Sequence, residues 1–258
     1  MKKFYGLIAF LLFALTCSGR EVPQLRMIDA TGGAPLEVFI MAAIELSSQK
    51  KMDISMRRDV PSKALAMLDK KEVDAVICEV RFAGKRPQTL LAAEALALYV
   101  STVNPVRDLS GRQALEILTA ARPTWRPYTN LSMDIQRMAL RNDLPGGRLL
   151  RRVFGNKQFD SEIFTVRSQR SGYAFANSAS LFYAPYLPLP PSTVKMVPVN
   201  GINPTLQTVK SGRYPLTMRY AVVTAGKNSN VDELLKFIAS KPQYRQQMQD
   251  SGLIVLLP

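Results

Sequence analysis

Two hydrophobic periods alternate along this chain, and the switches between them mark its elements. Residues 24–29 alternate as a strand does. The turn Thr31-Gly32-Gly33-Ala34-Pro35 follows and can open a helix, with Pro35 in its first turn. Beyond it Leu36, Phe39, Ile40, Ala43 and Ile44 recur at helical spacing. Residues 52–57 read as a second strand, 61–68 as a second helix and 73–80 as a third strand. The order βαβαβ predicts a parallel sheet with right-handed crossovers. A further apolar strand is predicted at 96–101, and Asp108 or Ser110 can cap a helix over 111–119. Residues 120–198 are richer in Pro, Arg and Ser and read as a second lobe inserted into the first. No internal repeat or low-complexity tract is present.

The segment 201–216 carries start and stop signals for one short helix. Asn203 can cap the first free amides, and Pro204 suits the first helical position. Gly212 stands where a left-handed residue ends a helix, and Pro215 forbids its resumption. The run Tyr220-Ala221-Val222-Val223 then reads as a strand, 231–238 as a helix, and the chain ends in a second apolar run from Gly252.

The first residues change the setting. Lys2 and Lys3 precede an apolar run over 4–15, and small or polar residues fill 16–19, which is the plan of a signal peptide. The run is shorter than the roughly 20 residues expected of a membrane span. Cys17 stands where a lipoprotein cysteine would stand, although Ala14-Leu15-Thr16 is a poor approach to it, so lipidated and free forms both remain open. Export places the chain in the periplasm or another extracytoplasmic space. The 258 residues, 47% of them hydrophobic, suffice for one large or two small domains. Cys78, the other cysteine, lies in an apolar strand and reads as core. With no histidine, the commonest general base and metal ligand is missing. The formal net charge is +14; loss of Lys2 and Lys3 with a leader leaves +12, since two of the 34 basic residues go and the 20 acidic ones stay. Such a chain attracts anions: phosphate-like ligands, anionic headgroups or acidic polymers. Nothing has the spacing of a nucleic-acid-binding motif.

Several of these segments together resemble the periplasmic phosphate-binding proteins of ABC importers. The words Pro204-Thr205, Thr208-Val209 and Ser211-Gly212-Arg213-Tyr214-Pro215-Leu216 match the family's run that returns the chain to its first lobe. Asn104-Pro105, Leu109-Ser110 and Trp125 follow the family's order of strand, Asn-Pro, helix and Trp. Residues 195–202 resemble the strand leading into the Pro-Thr helix, and Gly172-Tyr173-Ala174 resembles a Gly-Tyr strand before it. The resemblance implies a type 2 periplasmic binding protein: two α/β lobes, each a mainly parallel sheet flanked by helices, joined by two crossovers with the ligand between them. The expected division is a leader over 1–19, one lobe of 22–100 and 219–258, and a second of 101–218.

It also implies a site. Thr31, Gly32 and Gly33 fit the loop whose amides meet the anion at a helix start. Ser62 falls near a serine donor, and Glu79 where an acid accepts the ligand's proton. Arg141 stands for the arginine that grips the anion, with Gly146 and Gly147 as amide donors. Here the chain departs from the family, whose arginine precedes Ser-Gly-Thr. Those hydroxyls are missing, and Asp143 would repel a dianion unless it turned away or paired with Arg148. The plainer reading of Arg137, Arg141, Arg148, Arg151 and Arg152 is a solvated basic face.

The functional expectation is a binding protein that traps an oxyanion such as phosphate for ABC uptake, with a permease as partner and no cofactor, metal or catalysis. The alternative is an envelope scaffold or sensor that keeps the fold without tight ligand binding. A binder of lipid surfaces or acidic polymers rests on charge alone. The motif Ser192-Thr193-Val194-Lys195 followed by Lys210-Ser211-Gly212 mimics penicillin-interacting enzymes, but those motifs lie far apart in sequence and here they are close.

Overall fold

The computed structural model describes residues 23–33, 37–50, 52–144, 146–155 and 162–257. The leader, Cys17, Pro35 and Leu36 lie outside the described residues. The chain runs β1 (Gln24–Asp29), α1 (Glu37–Lys50), β2 (Asp53–Arg58), α2 (Pro61–Asp69), β3 (Ala75–Glu79), α3 (Val80–Ala83) and β4 (Gln88–Ser101). It continues as α4 (Gly111–Thr119), β5 (Gln136–Leu140), α5 (Leu149–Phe154), β6 (Phe164–Val166), α6 (Gln169–Phe175), β7 (Ser180–Pro185) and β8 (Val194–Val197). It closes with α7 (Leu206–Lys210), β9 (Thr217–Thr224), α8 (Ser229–Ser240), α9 (Pro242–Asp250) and β10 (Ile254–Val255).

One sheet runs through the molecule in the order β2-β1-β3-β9-β4-β7-β5-β6, with β8 and β10 also on β4. The flanks are parallel: β1 with β2 and β3, and β5 with β6 and β7. The centre is antiparallel, because β9 and β4 run against their neighbours. The mainly parallel pairing thus holds for the flanks, and two long crossing strands join them. β4 carries the join. Its residues up to Ala95 pair with β9, and from Leu96 they pair with β7 and β8. At the exchange Tyr186 N donates to Ala95 O (2.8 Å) and Leu96 N to Leu216 O (2.9 Å). These bonds satisfy the Ala95 carbonyl and the Leu96 amide as the strand passes from one half to the other. The run Ala221-Val222-Val223 pairs with β3, beside the first strands of the chain.

Local rules explain most elements. Ser110 caps α4, accepting from Gln113 N at 3.0 Å while the Gln113 side chain takes Ser110 N at 2.7 Å. Asp108 instead accepts from Gly201 N (2.9 Å), tying two loops together. Gly212 has φ +73°, the left-handed stop its position predicts. Trp125 is fully buried and donates from Nε1 to Ala179 O (3.0 Å).

Three expectations are corrected. The cap of α7 is Thr205, whose hydroxyl accepts from Thr208 N. Asn203 lies outside the helix, its carbonyl taking the Thr208 hydroxyl at 2.6 Å. Gly172-Tyr173-Ala174 is helical, within α6, where Gly172 lets the helix lie against β7; a Cβ there would stand 2.2 Å from the Phe182 ring. In α1 the buried face is Val38, Phe39, Ala42, Ala43 and Leu46, whereas Ile40 and Ile44 are exposed. The helix packs on β2, α8 and α9, which turns its inner face one position from the stripe the sequence suggested.

Cys78 is fully buried, and burial pushes its thiol up to about 11. Cys78 in the native protein should therefore resist alkylation at pH 8 and react once the chain is denatured, as mass spectrometry can check. Gly172→Ala should cost about 1–3 kcal/mol by forcing helix and strand apart, measured by chemical denaturation.

Candidate functional site

The strand ends of the first half gather polar groups. Asp29, at the end of β1, is 8% exposed and accepts from Thr31 N (3.0 Å), Thr31 Oγ1 (2.6 Å) and Arg58 Nε (3.2 Å). The Thr31 hydroxyl is thus spent on the turn itself. Gly32 and Gly33 follow with φ +69° and +91°, conformations that glycine tolerates. Ser62 is exposed in the first turn of α2, whose N-cap position is held by Val60 without a side-chain bond.

Glu79 ends β3 and turns into α3. Its carboxylate meets Arg81 at 2.7 Å. Burial, with the nearby Glu94 charge adding to it, holds its pKa above the ordinary value despite Arg81 and Arg152. Glu79 lines a cavity of about 300 Å³ together with Arg81, Arg152, Thr217 and Arg219. The cavity therefore has walls from β3 and α3, from α5, and from the segment that enters β9. Thr217 Oγ1 is the one buried side-chain polar atom without a hydrogen-bond partner among the described residues.

The predicted second-lobe groups are placed differently. Arg141 follows β5 and grips Asp143 through Nε (3.0 Å) and Nη2 (2.6 Å), with both side chains largely exposed. Asp143 thus pairs with Arg141 rather than Arg148. Arg141 is not among the residues lining the cavity. Gly147 donates its amide to Leu144 O (2.9 Å), so that donor is used within the loop. A Cβ on Gly147 would meet Arg141 O at 1.8 Å, and one on Gly146 would meet Pro185 at 2.4 Å, so both glycines serve close packing. Arg148 is exposed and reaches toward the first loop, its Nη1 lying 3.7 Å from where a Gly33 Cβ would be.

The arginines do not share one solvated face. Arg137, 3% exposed, donates to Leu118 O (3.2 Å) and Ala120 O (2.6 Å), a cation at the carbonyl end of α4. The Arg152 side chain is largely covered, 9% exposed. Its Nε and Nη2 meet Glu94 at 3.1, 2.6 and 2.7 Å, and its Nη1 meets Gly33 O at 3.1 Å. The Tyr220 hydroxyl donates to the same Glu94 oxygen. Burial works against the Arg152 charge, but Glu94 and Tyr220 outweigh it and hold its pKa above the ordinary value. Burial and the Glu94 charge together keep Tyr220 protonated.

This triad was missed at the level of sequence because its members are 58 and 126 residues apart. One signal was available. Glu94 is the only acid in the apolar run 90–100, and a carboxylate buried in such a run needs a cation.

The raised Glu79 pKa has a stability consequence. Its native form binds a proton more tightly than the unfolded chain does, so its ionisation opposes folding. That penalty is absent below the ordinary value of 4.5 and complete above the raised native pKa. Glu79→Gln should therefore raise the melting midpoint at neutral pH and have no such effect below that ordinary value. A pH series of thermal melts measures this.

No family model matches the chain, and no curated protein sequence matches it significantly. Solved structures do. PstS from Borrelia burgdorferi is 14% identical with a TM-score of 0.69, over 90% of this chain and 98% of that one. A possible phosphate binding protein from Planctomyces limnophilus is 14% identical with a TM-score of 0.68, over 92% and 94%. An ABC-type phosphate transport receptor from Vibrio cholerae is 14% identical with a TM-score of 0.61, over 89% and 99%. The likeness is one of fold: the chain has the two-lobe, mixed α/β fold of the type 2 periplasmic binding proteins.

Proposed function

We propose that the chain is an exported solute-binding protein that holds a small oxyanion, of the phosphate type, between its two lobes for uptake through an ABC permease. The observation that carries this reading is the cavity lined by Arg81, Arg152 and Arg219 together with Glu79 and Thr217, whose hydroxyl has no partner among the described residues. Arg81 and Arg152 already have carboxylate partners, and Arg219 lines the cavity with no carboxylate partner among the described residues. Thr217 would supply a neutral hydroxyl donor in place of those missing after Arg141. Glu79, with its raised pKa, suits an anion that carries a proton. Gly32 and Gly33 would add amides from the β1 loop. The lobes would divide where β4 changes partners, between Ala95 and Leu96, and between Leu216 and Thr217, rather than near 100 and 218.

Export and a lipid on Cys17 belong to the same reading. If Cys17 is lipidated, Cys17→Ser should release the protein from membranes into the soluble fraction. An unmodified mature N-terminus beyond Cys17, found by mass spectrometry, would exclude the lipid. Among the described residues no helix is long and apolar enough to cross a membrane.

A second reading has its own support. The Thr31 hydroxyl, Arg141, Arg152 and the Gly147 amide are all engaged internally. A scaffold or sensor that kept the fold without tight binding would look like this. Calorimetry with phosphate, sulfate and a phosphonate separates the two. The first reading expects weak phosphate binding that falls at least tenfold in Arg219→Ala and survives Arg141→Ala. Loss in Arg141→Ala alone would return the site to the loop after β5. No heat with any of the anions would favour the scaffold.

A further inference from the structure

We propose that Arg152 and Tyr220 form an oxyanion-binding site that the protein fills from within, using Glu94, and that this keeps the lobes closed without a ligand. Three donors converge on one carboxylate. Arg152 gives Nε to Oε1 at 3.1 Å and Nη2 to both oxygens at 2.6 and 2.7 Å, and Tyr220 gives its hydroxyl to Oε1. This is the fork geometry by which a guanidinium takes any planar or tetrahedral oxyanion. The site is largely shielded from solvent: the side chains of Arg152 and Glu94 are 9% and 4% exposed, and Tyr220 is fully buried.

The contact bridges the molecule. Arg152 is on α5, between β5 and β6, whose strands pair in the second half of the sheet. Its partners are in the first half: Glu94 where β4 still pairs with β9, Tyr220 on β9, and the Gly33 carbonyl after β1, which takes Nη1 at 3.1 Å. In a two-lobe binding protein a ligand ordinarily supplies such a link when the lobes close. Here a side chain supplies it. Glu94 is fixed on a strand, so it meets the fork as an intramolecular partner with a high effective concentration. A solute in the neighbouring cavity would meet Arg219, Arg81 and the cavity side of Arg152, whose Nε and Nη2 are already taken by Glu94. The inference holds whether or not the protein binds a solute.

Removing the internal anion should expose the site. The test uses purified protein in buffer free of phosphate and small carboxylates, with formate as the probe. Small-angle scattering reads the separation of the lobes and thermal denaturation reads stability. Wild type should have one radius of gyration with or without formate or phosphate. Glu94→Ala should be expanded and melt about 10 °C lower, since a buried guanidinium loses its partner. Formate should restore both values saturably. The pair Glu94→Ala with Arg152→Ala should show no such response. Should Glu94→Ala fail to fold, Glu94→Gln keeps the size of the side chain and should still be expanded relative to wild type. A Glu94 variant as compact as wild type would overturn the proposal. So would a wild type that expands when anions are removed, or a formate response undiminished in the double variant.

Discussion

A carboxylate that is 3% exposed in the middle of an apolar strand must be paired, and Glu94 is that carboxylate. Its charge requires a buried cation, and the cation comes from a helix in the other half of the molecule. Arg152 is in turn too deeply buried to stand without Glu94. Each group makes the other tolerable, and breaking such a pair from one side costs about 3–5 kcal/mol. This mutual need ties the two halves of the molecule together at that point. The loop after β1 is drawn in as well, because Arg152 has one nitrogen left and the Gly33 carbonyl takes it.

Backbone chemistry sets the frame in which the pair acts. Two strands, β4 and β9, lie at the middle of the sheet, and β4 must satisfy its peptide groups on both sides of the partner exchange. Tyr214 helps by donating its hydroxyl to Leu96 O at 3.1 Å. Glu94 is one residue before the exchange, so the ion pair is set at the join between the lobes. The cavity with Arg219 and Thr217 opens beside it, along the segment that enters β9. Arg81, Arg152 and Arg219 thus line a cavity beside the join.

The fold was legible where one element's local chemistry decides its shape. β1 alternates, α4 has its Ser110 and Gln113 box, and Gly212 stops α7. It was less legible where packing decides. α9 is polar almost throughout and buries only Tyr244 and Met248, so no apolar stripe announces it. Gly172 and Tyr173 read as a strand by likeness to a family word, but the glycine is there to let a helix approach Phe182. Of the groups expected at the site, Glu79 lines the cavity, because it sits at the end of the strand that carries it. The site was illegible in its second half. Arg141 had the right surroundings in sequence, yet Asp143 two residues on satisfies it locally. Arg152 looked like one of several exposed arginines, because only the folded chain brings Glu94 and Tyr220 to it.

Coupling between Arg152 and Glu94 is the claim on which the tie between the two halves rests. A double-mutant cycle with Arg152→Ala, Glu94→Ala and the pair, read by chemical denaturation at neutral pH, measures it most directly. Each single variant should be strongly destabilised, and the pair should lose little more. The coupling energy should be about 2 kcal/mol or larger, at the upper end of what contacting residues give. Additive losses, with coupling within about 0.5 kcal/mol of zero, would mean that the two residues act independently and would contradict it.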